Sequence, residues 1–206
     1  MDAKCKICRR AGEKLFLKGD RCFTPKCAMV KRPYAPGKLD SERKHKSQVT
    51  EYGLQLREKQ KVRNIYGVSE KQFRNYVDKA MGHKGVETTG LLFESLESRL
   101  DNVVFRLGFV PSRALARQSV SHGHVLVNGK RTTVPSYKVR VGDTISFREG
   151  SKVSKLFALA AERVKNITPP TWLSLDKEKM VAEIKGKPKD TEIVYNLQSV
   201  VEFYSR

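Results

Sequence analysis

Apolar residues return every three or four positions along much of this chain, and that rhythm predicts a succession of helices. From about Thr50, the positions Tyr52, Leu56, Lys59 and Arg63 share one stripe, and Gly67 ends the segment as a C-terminal cap. Ser69 begins a second helix, whose apolar positions Phe73, Val77, Ala80 and Met81 form the stripe that packs. Between Gly90 and Gly108, Leu92, Leu96, Leu100, Val103, Val104 and Leu107 predict one continuous amphipathic helix that Gly108 stops. Ser112 stands where an N-cap belongs, Arg113 to His122 suits a helix, and Gly123 supplies its stop, so two helices meet through a short turn.

The period then changes from near four to two. In HVLVNGKRTTV, Asn128-Gly129 lies between alternating arms, the strongest short-range signal for a two-residue hairpin turn. Val139, Val141, Ile145 and Phe147 around Gly142-Asp143 suggest a further strand pair, which makes residues 94–150 an α+β unit. Helical spacing resumes over 151–167 at Val153, Phe157, Ala160 and Val164 and ends before Pro169-Pro170, beyond which Trp172 and Leu173 are expected to be buried. Met180 to Ile184 alternates like a strand, KGKPKD reads as an exposed loop, and Leu197, Val200, Val201 and Tyr204 fit a closing helix. The fold class is α+β, with no internal repeat.

Ahead of these helices lies a different chemistry. All four cysteines fall in the first 27 residues, as Cys5-x2-Cys8, then 13 residues, then Cys22-x4-Cys27. A short spacer lets both thiolates of a pair reach one zinc ion at about 2.3 Å, and a second pair closes the tetrahedral shell. With no position left open for water, the expected cofactor is one structural zinc in an N-terminal zinc knuckle. Two disulfides, unliganded thiols and a four-thiolate iron–sulfur cluster are the alternatives, the first disfavoured in a reducing compartment. From Tyr34 to Ser47 the Pro-Gly-rich, basic text YAPGKLDSERKHKS reads as an extended arm.

Charge narrows the function. The chain carries 41 Lys+Arg against 22 Asp+Glu, a net +19, which self-repels unless a polyanion answers it. Residues 1–50 hold 14 basic and 5 acidic side chains and residues 101–150 hold 8 and 3, so two segments carry most of the excess. A mean hydropathy of −0.52 and the absence of a long apolar run exclude a spanning helix, and MDAKCKICRR has no apolar core for a secretory signal. The expected setting is cytoplasmic, with no membrane partner. No nucleophile–base constellation is legible, which argues against an enzyme and against a small-molecule substrate.

Arg113 and Arg117, four apart, stack on one helix face near Gln118, Ser121 and His122, and Lys130 and Arg131 extend from the adjacent hairpin. Forked guanidiniums at a helix start match phosphate, while amide, hydroxyl and imidazole groups bond sugars and phosphates without reading sequence. No aromatic stacking ladder shows in this region, so folded RNA fits better than single strands. The candidate RNA-binding set also takes in Lys31, Arg32, Arg43, Lys44 and Lys46 around the arm, and Tyr52, Gln55, Arg57, Lys59, Lys61 and Arg63 on the following helix.

LESRLDNVVFRLGF (96–109) followed by SRALARQSVSHGHVLVNG (112–129) resembles the RNA-binding module of the S-four family of bacterial small-subunit ribosomal proteins. EYGLQLREKQKVRNIYGVSEKQF (51–73), PSYKVRVGD, PTWLSLD and the terminal VEFYSR resemble the same family, so the likeness spans nearly the whole chain. The cysteine pattern resembles its metal-bearing members. The resemblance implies a zinc-binding segment and arm over 1–46, a helical domain made of 47–93 with 188–206, and an inserted α+β domain over 94–187 holding the module at about 97–160. It further implies a primary ribosomal RNA binder that nucleates the 5′ domain of small-subunit RNA and touches small-subunit protein five. It places the chain near protein three and messenger RNA, where decoding accuracy is affected. Because the helix pair also occurs in RNA-modifying enzymes, the flanking motifs decide; an enzyme built on it and a zinc-dependent DNA-binding regulator are the rival readings.

Overall fold

The computed structural model describes residues 3–37, 48–83, 85–152, 155–188 and 195–206. It divides into two compact units, Met1–Asp78 with Val194–Arg206, and Lys79–Ile193. These units divide after Asp78 and after Ile193, while the family resemblance implies divisions at 93/94 and 187/188.

In the first unit, α1 (Ala3–Ala11), a 3-10 turn (Gly19–Phe23) and α2 (Ala28–Lys31) precede α3 (Glu51–Tyr66) and α4 (Glu70–Met81). Thr50 caps α3, its Oγ1 accepting from the Gly53 amide, and Gly67 closes it in the left-handed region. The buried residues of α3 are Gln55, Lys59, Val62, Ile65 and Tyr66, which share only Lys59 with the expected Tyr52, Leu56, Lys59 and Arg63. Tyr52 stays half-exposed because its ring lies 5.4 Å from that of Phe203 at the surface. On α4, Phe73, Val77 and Ala80 are buried as expected, whereas Met81 stays partly exposed. The final helix α10 (Leu197–Tyr204) returns to pack on α3. Lys59 joins them: its Nζ lies 2.6 Å from Glu70 Oε1 and 4.7 Å from the Phe203 ring centre. The Tyr204 hydroxyl donates to the same carboxylate at 2.7 Å.

The second unit corrects the longest expected helix. α5 (Thr88–Glu97) and α6 (Leu100–Arg106) are separate, because Arg99 takes an extended backbone and pairs with Lys138. Amides that begin α6 need acceptors, and the Tyr137 and Pro135 carbonyls take those of Leu100 at 2.9 Å and Asp101 at 3.1 Å. α7 (Arg113–Ser121) starts on Ser112, whose hydroxyl accepts from Leu115 N. Asn128 and Gly129 have φ of 50° and 75°, the mirror-image turn that suits a hairpin's twist, and join β1 (Val125–Val127) to β2 (Lys130–Arg131).

The second expected strand pair does not form. Only β3 (Thr144–Phe147) is a strand, and it pairs with β1 and with β5 (Val181–Ile184) rather than with 139–141. Helices α8 (Glu149–Lys152) and α9 (Lys155–Asn166) intervene, and β4 (Leu173–Asp176), which the sequence pattern missed, completes an antiparallel sheet ordered β2-β1-β3-β5-β4. Val125, Val127, Ile145, Phe147, Ala182 and Ile184 alternate inward to meet Leu100, Val103, Leu107, Ala116, Val120, Ala160 and Val164. Trp172 and Leu173 are buried with them.

Charged side chains are buried in this unit too, Glu97, Arg99 and Asp101 among them. Glu97 is fully buried and accepts two bonds from Arg106 at 2.8 Å and one from Asn102 Nδ2 at 2.8 Å. Removing a buried ionic partner strands the other, so Glu97→Ala is expected to destabilise the chain by about 3 kcal/mol or more in urea unfolding. A change below about 0.5 kcal/mol would show that the cluster carries no structural weight.

Candidate nucleic-acid interface

The stop of α7 and the hairpin bring one set of cations together. Gly123 follows α7 at φ 74°, and a side-chain carbon there would come within 2.0 Å of Arg131 Nε. Glycine therefore serves twice, in a backbone form that other residues resist and as the floor under a guanidinium. Arg131 Nη2 donates to the His122 carbonyl at 3.3 Å. The His122 and His124 rings lie 6.0 Å apart, and His124 Nδ1 is 2.9 Å from Ser151 Oγ. Partial burial, followed by the nearby His122, Arg131 and Arg148, pushes the His124 ring below its ordinary titration range. A group of like charges held this close is set up for an anion. Gln118, Ser121, His122, Lys130, Arg131 and Arg148 are exposed around it.

Arg113 is not in that group. Its Nε donates to Asn102 Oδ1 at 2.7 Å, its guanidinium lies 4.4 Å from the Phe105 ring centre, and Nη2 is 4.0 Å from Glu97 Oε1. Its side chain is only 16% exposed, so it braces the helix pair instead of reaching outward. Arg117, one turn later, is partly exposed. Sequence spacing puts the two on one face; depth separates them. Arg148 went unremarked in the sequence because the β1–β3 pairing brings it beside His124 from a distance, and no local pattern marks that approach; His124 itself directly precedes β1.

In the first unit, Arg10, Arg57, Gln60, Lys61 and Asn64 line a groove of about 510 Å³ between α1 and α3, over Ile7 and Leu56. Of the residues expected to touch RNA here, Arg57, Lys31 and Arg32 are exposed. Lys61 is bound to Glu13 at 2.9 Å and Glu58 at 2.7 Å. Arg63 is bound to Glu70 at 2.9 Å. Gln55 and Lys59 are corrected out of the surface: both are buried, Gln55 donating to Glu51 and Glu202, Lys59 held by Glu70. A polar type on the inner face of a helix gave no warning of that. Arg43, Lys44 and Lys46 lie outside the described residues. Arg10, Gln60 and Asn64 were missed, although the spacing 57, 60, 64 is that of one helix face.

The cysteines converge without closing. Cys5 and Cys8 lie one turn apart on α1, a helix and not the looped knuckle expected, and Cys27 begins α2. All four line one cavity of about 20 Å³, room for about one small sphere. Among the described residues, no three His, Cys, Asp or Glu side chains are drawn together as a metal-holding group. Burial raises the Cys8 thiol, a hydrogen bond from the Leu15 backbone lowers it, and the other three cysteines raise it further. Four thiols lining one small cavity suit a thiophilic cation in donor type.

Residues 1–97 match the ribosomal protein S4/S9 N-terminal domain and residues 98–145 match the S4 domain. Small ribosomal subunit protein uS4 of Syntrophomonas wolfei subsp. wolfei is 51% identical over 100% of this chain and 98% of its own length. The uS4 proteins of Desulfitobacterium hafniense (strain DSM 10664 / DCB-2) and Thermus thermophilus are 52% and 50% identical, each over 98% of this chain and 96% of their own.

A depressed histidine binds fewer protons folded than unfolded, so stability rises with pH through that window. The His124 contribution is therefore whole above about pH 6.5 and is lost as pH falls through its lower folded value. In NMR titration its midpoint is expected below that of a free histidine, and Arg131→Gln should move it upward. A midpoint indifferent to Arg131 would remove the guanidinium from the cluster.

Proposed function

This chain belongs to the family of small ribosomal subunit protein uS4, a structural and non-enzymatic constituent of the ribosome, and we propose that it binds small-subunit ribosomal RNA through the cationic face built on α7 and the β1–β2 hairpin. The observation that carries this reading is the outward exposure of Lys130, Arg131 and His122 beside Gln118 and Ser121, on the segment matching the S4 domain, with Arg148 exposed just beyond it. Their chemistry suits phosphate and sugar, which fixes position on a folded RNA while shape supplies selectivity. The α1–α3 groove, with Arg10 and Arg57, provides a second cationic surface on the first unit. Arg117, Lys31, Arg32 and Tyr52 belong to the proposed interface; Arg113 supports it from inside.

The finer reading has the chain bind early and nucleate assembly of the 5′ domain of that RNA. It would meet small-subunit protein five, with protein three and messenger RNA close by, and so influence decoding accuracy. Likeness along the whole chain, not only over the S4 domain, supports it. Cys5, Cys8, Cys22 and Cys27 would hold one structural zinc, whose bonds would tie α1 to the start of α2 and whose charge would relieve the repulsion among four thiolates.

The full chain is expected to prefer a folded small-subunit RNA transcript over an unstructured RNA of equal length, with affinity falling steeply as salt rises. Lys130→Ala with Arg131→Ala should lower the log–log salt slope by about 0.7 to 0.9 for each lost phosphate contact. Equal affinity for the two RNAs would end this reading.

Elemental analysis of freshly purified chain should return about one zinc per molecule. Iron in its place would reassign the cluster, and a folded N-terminal segment free of metal would remove it.

A further inference from the structure

Two large apolar rings stand exposed on the first unit, and none of the described residues covers them. Phe16 is 44% exposed and Phe23 is 76% exposed, and their rings are stacked, with centroids 5.0 Å apart and planes 28° from parallel. A ring that has one face on its neighbour and is still three-quarters exposed turns its other face to solvent. The backbone adds a second sign. Phe16 sits at φ 49°, in the left-handed region that a bulky side chain rarely occupies. That turn directs Leu15 inward, at 5% exposure, and Phe16 outward onto Phe23. Strain of this kind persists where surrounding structure enforces it and gathers at functional sites. Cys22, next to Phe23, is buried in the cysteine cavity, so the platform is anchored from below.

The surroundings indicate what belongs on it. Between Met1 and Gly37 the chain has ten Lys and Arg against three Asp and Glu, and Lys14, Arg21 and Lys26 are exposed close to the rings in sequence. An aromatic face on a segment of net positive charge suits a group that is flat and anionic at once: an unpaired nucleobase on its phosphodiester backbone. A purely apolar protein surface would gain nothing from the cations. We infer that Phe16 and Phe23 form a stacking platform for one unpaired base of the bound RNA, a contact separate from the phosphate-gripping face of the second unit. This rests on the RNA reading above.

The test uses the full chain and a small-subunit RNA transcript, comparing wild type with Phe23→Leu, which keeps apolar bulk but loses the ring, and Phe23→Tyr, which keeps the ring. At so exposed a position both variants should fold as wild type does. Phe23→Leu is expected to bind about 5- to 100-fold more weakly and Phe23→Tyr within about 2-fold of wild type. The salt slope should be the same for all three, since stacking releases no counterions. One base protected from chemical modification by wild type and Phe23→Tyr should become reactive with Phe23→Leu. Unchanged affinity and protection with Phe23→Leu would overturn the platform while leaving RNA binding intact. A Phe23→Tyr loss as large as that of Phe23→Leu would also overturn it. A wild-type chain with no preference for the transcript would remove both readings.

Discussion

Glu97 takes a negative charge into the interior of the second unit, where a carboxylate without partners would cost several kcal/mol to desolvate. Arg106 and Asn102 answer it directly, and Arg113 stands behind them with its guanidinium against Phe105. These partners come from the end of α5, from α6 and from the start of α7. The carboxylate therefore sets how three helices meet, and through them where α7 presents its outer face. Arg99, bonded to Asp101 at 2.6 Å just beyond the break after α5, does the same for the chain reversal. The Arg99–Asp101 pair is buried on both sides, and in the Arg106–Glu97 pair the carboxylate is buried while the guanidinium reaches partly to the surface.

The same economy separates two populations of cations. Those with a carboxylate on the inside, such as Lys59 with Glu70 or Arg106 with Glu97, hold helices together and are covered. Others lie exposed on the outside, around the hairpin and along the α1–α3 groove, Arg57, Lys130, Arg131 and Arg148 among them. A folded polyanion relieves their mutual repulsion and releases its own counterions on contact. The His124 ring titrates below its ordinary range chiefly because it is partly buried, with the neighbouring His122, Arg131 and Arg148 adding to the effect.

In the first unit the C-terminal helix is held by an analogous contact. Lys59 is enclosed by Glu70 and the rings of Phe203 and Tyr204, so residues distant along the chain complete one small core. Burial and the Glu70 carboxylate push the Tyr204 hydroxyl well above its usual range, which keeps it a hydrogen-bond donor at any physiological pH. A lysine on the apparent RNA-facing stripe of α3 is in this way a structural residue.

What the sequence determined alone is whatever depends on neighbours within about one turn. Thr50 and Gly67 bound α3, Ser112 and Gly123 bound α7, and Asn128-Gly129 makes the hairpin, each through contacts within a few residues. The net charge and the cysteine spacing are likewise properties of the chain as written. Tertiary structure decided the rest, because each remaining outcome depends on a partner far along the chain. The break at Arg99 needs the carbonyls of Pro135 and Tyr137; the place of β3 needs β5; and the burial of Gln55 and Lys59 needs α10 and α4. Arg113 and Arg117 look alike in sequence, and only the depth of Glu97 tells the brace from the surface residue, since spacing along a helix fixes a side chain's direction but not what it will meet.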